Sequence, residues 1–209
     1  MRGSLPGPDP RMNNYSPQMD SYSTAERRLI GPLRRLGFLA LSPLIKLLAA
    51  LGIPPNAVSA SQVVLGGAVV LTVRDQPRIA FLLFVLALLL DVADGALARY
   101  TGKTSRFGMI VDQYSDHARE VLVIAALAYA GGLSPFLAAL YGFVYTATNL
   151  TILLCNYFRA PLPIAFKTYL VTYPAIFCYL WFAWNWLDLG VSISLLLMSV
   201  AILQGLGHL

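Results

Sequence analysis

Twelve consecutive apolar residues, Ile79 to Leu90, run without a break into a stretch that holds Asp91 and Asp94. The apolar run is too short to cross a bilayer alone, so its helix has to continue through Asp91 to Tyr100 before it reaches water. Two carboxylates are thereby carried into a membrane domain. The rest of the chain agrees with that setting: 57% of the 209 residues are hydrophobic and 12% are charged, which no average soluble domain matches. Long, nearly charge-free segments alternate with short polar turns, the pattern of a polytopic all-α bundle in lipid.

Six spans are expected, at about 57–73, 79–100, 108–130, 135–155, 166–184 and 187–206. Residues 1–22, with Gly3, Pro6, Gly7, Pro8 and Pro10 and no apolar stretch, read as a disordered tail and not as a cleavable signal peptide. A juxtamembrane segment, 23–52, follows. Ser23 and Glu26 have capping-box spacing. Arg27, Arg28, Arg34 and Arg35 then fall on one side of a helix and Leu29, Leu33 and Leu36 on the other, which suits a helix lying on an anionic membrane surface. The membrane domain is placed at 53–209.

The net charge of +5 reflects topology, because the basic residues flank apolar segments and form no aromatic-interleaved surface for nucleic acid. Arg2, Arg11, Lys46, Arg99, Lys103, Arg106, Arg159, Lys167 and the four arginines of the juxtamembrane segment fall on the side of the amino terminus, and only Arg74 and Arg78 fall opposite. The positive-inside rule puts both termini in the cytoplasm. Trp181, Trp184 and Trp186 suit either an interfacial belt or ordinary packing. Cys155 and Cys178 show no metal or disulfide spacing.

Of ten acidic residues, Asp91, Asp94, Asp112, Asp116 and Glu120 gather in the second and third spans. One aspartate at the centre of a spanning helix costs roughly 2.5 to 3.5 kcal/mol, so four facing lipid would cost about 10 kcal/mol or more. They have to face inward and be neutralised. Asp91 and Asp94 are i,i+3 and Asp112 and Asp116 are i,i+4, so each pair projects from one helix face. If the two spans form a hairpin turning near Lys103, Asp94 lies level with Asp112 and Asp91 with Asp116. Four carboxylates at one point call for about two divalent cations, with Mg²⁺ or Mn²⁺ favoured by hard oxygen ligands. Gly95, Ala98 and Gly108 leave the same faces without bulky side chains, which serves helix packing or a bound base and pyrophosphate. His117 reads as a packing or hydrogen-bonding residue. An ion pathway and a purely structural charge cluster are the rival readings of intramembrane acids.

The run Asp91-Val-Ala-Asp94-Gly95-Ala-Leu-Ala98-Arg99, with Gly108, Asp112 and Asp116 at fixed intervals beyond it, resembles the signature of the CDP-alcohol phosphotransferase family at every specified position. The resemblance implies a membrane enzyme of phospholipid biosynthesis that transfers a phosphatidyl or other phosphoalcohol group from a CDP-alcohol donor to an alcohol acceptor and releases CMP. It implies that Asp91, Asp94, Asp112 and Asp116 bind two metals and that Asp116 is also the general base. Asn56, Ala57, Val58, Ser59, Asp94, Gly95, Ala98, Arg99, Ser105 and Gly108 are implied in CDP binding. Members either move a phosphatidyl group from a CDP-lipid such as CDP-diacylglycerol to a polar alcohol, the direction favoured here, or move a small phosphoalcohol to a lipid. Arg119, Arg159 and Lys167 are candidates for holding a phosphorylated acceptor, and Arg159 and Lys167 equally serve topology. A homodimer is common in the family.

Overall fold

The computed structural model describes residues 40–158, 160, 162 and 170–208. Among them are seven helices and no strand: α1 (Ala40–Ala50), α2 (Pro55–Thr72), α3 (Pro77–Tyr100), α4 (Arg106–Tyr129), α5 (Pro135–Tyr157), α6 (Thr172–Phe182) and α7 (Leu187–His208). The all-helical architecture read from the sequence is therefore the one observed. Helices start where the sequence supplies a stop to the preceding chain. Pro55, Pro77 and Pro135 each occupy a first-turn position, where the missing N–H costs nothing, and Ser105 caps α4 by accepting the Gly108 N–H at 2.9 Å. Gly102 reverses the chain after α3 with φ +67°.

Four helices, α2, α3, α5 and α7, are long and apolar enough to cross a membrane. With the family assignment below, they make this a multi-pass membrane protein. Helix α4 has 24 residues, about 36 Å of rise, but is not apolar because it carries Arg106, Asp112, Asp116, Arg119 and Glu120. The described part of α6 has 11 residues, and most of the segment before it, where the fifth span was expected to begin, lies outside the described residues. So does the basic part of the juxtamembrane segment. Its described remainder is α1, an apolar helix whose Ile45 packs with Val58, Ala96 and Leu97.

The outer surface is that of a protein built for lipid, with Val64, Leu71, Phe143 and Leu203 all exposed. Polar side chains on α5 satisfy themselves locally: Thr146, Thr148 and Thr151 each donate to a carbonyl one turn back at 2.7 to 2.8 Å. The hairpin partners α3 and α4 do not pack chiefly on each other, because α2 lies closely against both. Gly66 permits this approach, since a Cβ there would sit 3.3 Å from the Arg119 Cα. The main apolar core joins α2 to α7 around Val69, Phe84, Leu127, Tyr141, Ile176 and Met198.

Candidate active site

One turn separates Asp91 from Asp94 on α3, and one turn separates Asp112 from Asp116 on α4. Asp91, Asp112 and Asp116, all half-buried, each offer an oxygen, and the three oxygens lie within 4.8 Å of one another. At an effective dielectric of about 20, two unit charges at that separation repel by roughly 3 kcal/mol. Ionised together, the three need a positive charge among them. An all-carboxylate donor set without His or Cys suits a hard, oxygen-liganded divalent cation, so the residues present fit that group.

Asp94 belongs to the same neighbourhood but is held differently. It is fully buried, and its Oδ2 accepts hydrogen bonds from Ser59 Oγ at 2.6 Å and Gln62 Nε2 at 3.1 Å, while Oδ1 accepts from the Gly95 N–H.

Arg119 is 3% exposed. Its Nη1 donates to Asp116 Oδ1 at 3.0 Å and also to Gln62 Oε1. The buried carboxylate of Glu120 accepts from Tyr141 at 2.7 Å and from Tyr173 at 2.9 Å, linking α4 to α5 and to the start of α6. Sequence reasoning missed Gln62, Tyr141 and Tyr173. The available signal was a Gln in a spanning helix, three residues after Ser59 and on its face.

The residues expected to contact CDP fall into several settings. Asn56, Ser105 and Gly108 meet where α2 and α4 begin: a Cβ at Gly108 would stand 3.1 Å from both Asn56 Oδ1 and Ser105 Oγ, so a larger residue there would make both side chains shift. Arg99 folds its guanidinium back over Gly95, 3.4 Å from where a Cβ would be. Ala98 is half-buried on the Asp91 face. Ser59 is committed to Asp94, Val58 is in the apolar cluster with Ile45, and Ala57 is exposed. Arg159 and Lys167 lie outside the described residues. His117 hydrogen-bonds Thr146 at 3.0 Å and stacks on Tyr145 at 5.1 Å, a packing role as read from the sequence. A cavity of about 830 Å³ between α4 and α5, lined by Tyr114, Ala118, Val121 and Phe143 among others, opens on the side of α4 away from the aspartates.

These acids lie within the stretch from Asp91 to Asp116, and a family model settles the relationship: that for CDP-alcohol phosphatidyltransferase matches residues 53–206. The chain belongs to the CDP-alcohol phosphatidyltransferase family. The matched residues take in α2 to α6 and nearly all of α7, and so every side chain of the acidic site. Two curated relatives are archaetidylinositol phosphate synthases. The one from Pyrococcus horikoshii is 31% identical over 105 residues, 48% of this chain and 50% of that protein. The one from Aeropyrum pernix is 41% identical over 61 residues, 29% of this chain and 31% of that protein. The chain thus aligns with half or less of each relative's length. Members of the family work with divalent cations, and the acidic group on α3 and α4 is the feature of this chain that suits them.

Proposed function

We propose that the chain is a membrane transferase of phospholipid synthesis that moves a phosphatidyl-type group from a CDP-lipid to the hydroxyl of a phosphorylated polyol, releasing CMP. The observation that carries this reading is the three-carboxylate group of Asp91, Asp112 and Asp116 at the family signature. The names of the relatives favour an inositol phosphate as acceptor and an archaetidyl donor, and CDP-diacylglycerol is the donor favoured by the sequence resemblance.

Asp91, Asp112 and Asp116, with Asp94 beside them, would hold two divalent cations, Mg²⁺ or Mn²⁺, which offset the charge of the pyrophosphate. Asn56 to Ser59, Gly95, Ala98, Arg99, Ser105 and Gly108 form the donor side, with Arg99 placed to pair with a phosphate. Asp116 takes the acceptor's proton as the hydroxyl oxygen bonds to the lipid-bearing phosphorus and the P–O bond to CMP breaks. Arg159 and Lys167 supply positive charge for the acceptor phosphate. Arg119 has Nη1 committed to Asp116 and Gln62, so it would contribute through its remaining N–H groups, of which Nε has no hydrogen-bond partner among the described residues.

The same reading has α4 and the 166–184 region crossing the membrane along with the four apolar helices, six spans in all. Residues 23–52 lie on the cytoplasmic surface, residues 1–22 form a tail, and 53–209 is the catalytic domain, with termini and site in the cytoplasm and two copies in the assembly. The test is CMP release by purified protein with CDP-diacylglycerol or CDP-archaeol crossed against inositol phosphate and glycerol phosphate, with and without Mg²⁺. Metal-dependent release is expected, and Asp116→Asn should lower it about 10²-fold or more while leaving the protein folded. Near-normal release by that variant would remove Asp116 from the reaction, and cation flux without CMP release would favour an ion pathway.

A further inference from the structure

We infer that Gln62 is a positioning residue that fixes the distance between the two aspartate-bearing helices of the metal site, acting through Asp94 on one side and Arg119 on the other. This rests on the metal-dependent reading above. The amide spans two partners of opposite character: Nε2 donates to Asp94 Oδ2 at 3.1 Å, and Oε1 accepts from Arg119 Nη1, which also donates to Asp116 Oδ1 at 3.0 Å. The result is an unbroken chain, Asp94 to Gln62 to Arg119 to Asp116, that crosses from α3 through α2 to α4.

Chemistry forces the orientation of this amide. A carboxylate only accepts and a guanidinium only donates, so the NH₂ has to face Asp94 and the carbonyl Arg119. No other common side chain of this length offers one donor and one acceptor at its two tips without adding charge. Gln62 is completely buried, as nearly are Asp94 and Arg119, and burial from water strengthens each bond in the chain. Direct α3–α4 packing is slight, so α2 is the element that can set their spacing. Gly66, one turn beyond Gln62, brings α2 close enough for the amide to reach both neighbours.

The consequence falls on metal affinity as well as on stability. Outer groups that orient carboxylate ligands typically change affinity 10- to 100-fold when removed. Gln62→Met keeps length and volume and removes both hydrogen bonds. Mn²⁺ binding to detergent-purified protein without substrates, followed by electron paramagnetic resonance, should show the half-saturating Mn²⁺ rising about tenfold or more. The Mg²⁺ concentration that gives half-maximal CMP release should rise with it, and Ser61→Ala on the same helix should change neither. If Gln62→Met does not fold, Gln62→Asn, which keeps the amide but withdraws it by one methylene, should give the same rise. A lower melting temperature with unchanged Mn²⁺ affinity would overturn the inference and leave Gln62 a packing residue. Loss of Mn²⁺ binding in Asp91→Asn alongside an unshifted Gln62→Met would overturn this inference alone. Absence of Mn²⁺ binding by the unmodified protein would overturn it together with the reading on which it rests.

Discussion

Glu120 follows Arg119 in sequence yet serves a different network, because one residue along a helix turns the side chain by about 100°. Its two oxygens each accept a tyrosine hydroxyl, one from α5 and one from the beginning of α6. Replacing it by leucine leaves the buried Tyr141 hydroxyl without its acceptor, at roughly 1 to 3 kcal/mol, and removes one hydrogen bond from the half-buried Tyr173. Thermal unfolding in detergent should show Glu120→Leu strongly destabilised, Tyr141→Phe destabilised by about 1 kcal/mol, and Glu120→Gln between them because it keeps one carbonyl oxygen. Equal melting temperatures for Glu120→Leu and Tyr141→Phe would show that the tyrosines find other partners. The aspartates were legible in the sequence because a carboxylate in an apolar helix is costly and its spacing reports a shared face. Ser59 was named only through the resemblance, as a CDP contact and not as a partner of Asp94, and Gln62 was not named at all, since neutral polar side chains in spanning helices are common and the distance in sequence from Gln62 and Ser59 to Asp94 is 32 and 35 residues. The placement of Gln62 on the Ser59 face marks it as inward-facing, but it does not say which helices its amide ties together.

At the scale of elements, the insertion of α2 against both α3 and α4 decides how the site is assembled. Hydropathy and turn residues located α2 to α5 and α7 to within a few positions, because proline or glycine marks every turn from α2 to α5, while the polar and aromatic stretch Ala183 to Trp186 breaks the apolar run before α7. They did not show which helices touch: the sequence suggested a direct α3–α4 hairpin contact, whereas the chain folds α2 into that role. Gly66 makes this possible, and Gly67 offers an internal control, since among the described residues, its own helix backbone and chain neighbours aside, nothing lies within 4 Å of the position of an added Cβ. Gly66→Val should therefore lower the melting temperature and raise the Mn²⁺ requirement, as it pushes α2 away from Arg119 and Leu122. Gly67→Val, on the outward side, should leave both measurements close to those of the unmodified protein. Comparable losses in the two variants would mean that helix propensity, and not the α2–α4 contact, is what the glycines provide.

Across the whole molecule, two polar regions are separated by the apolar half of α3. At one end Arg74 lies 4.6 Å over the Tyr129 ring and Arg78 lies 5.9 Å over Trp181, with Trp184 and Trp186 exposed nearby in sequence. Arginine and aromatic side chains of this kind gather at a membrane boundary, where an apolar body meets a polar tip. At the other end the loop after α3 carries Lys103 and leads to the cap of α4 at Ser105, within a few turns of the aspartates. The stretch from Ile79 to Leu90 covers about 18 Å between them, so the acids sit in the half of the bilayer nearest the Lys103 loop. A water-soluble CDP headgroup can then reach them while its lipid chains stay in the membrane. In the topology proposed above, the Lys103 side, with the greater number of basic residues, is the cytoplasmic one. In a background carrying Cys178→Ala, with buried Cys155 retained, Asp75→Cys should react with a membrane-impermeant maleimide on intact cells. Lys103→Cys should react only after the cells are opened. The reverse pattern would invert the topology and move the proposed chemistry to the far side of the membrane, where a cytoplasmic supply of CDP-lipid headgroups could not serve it.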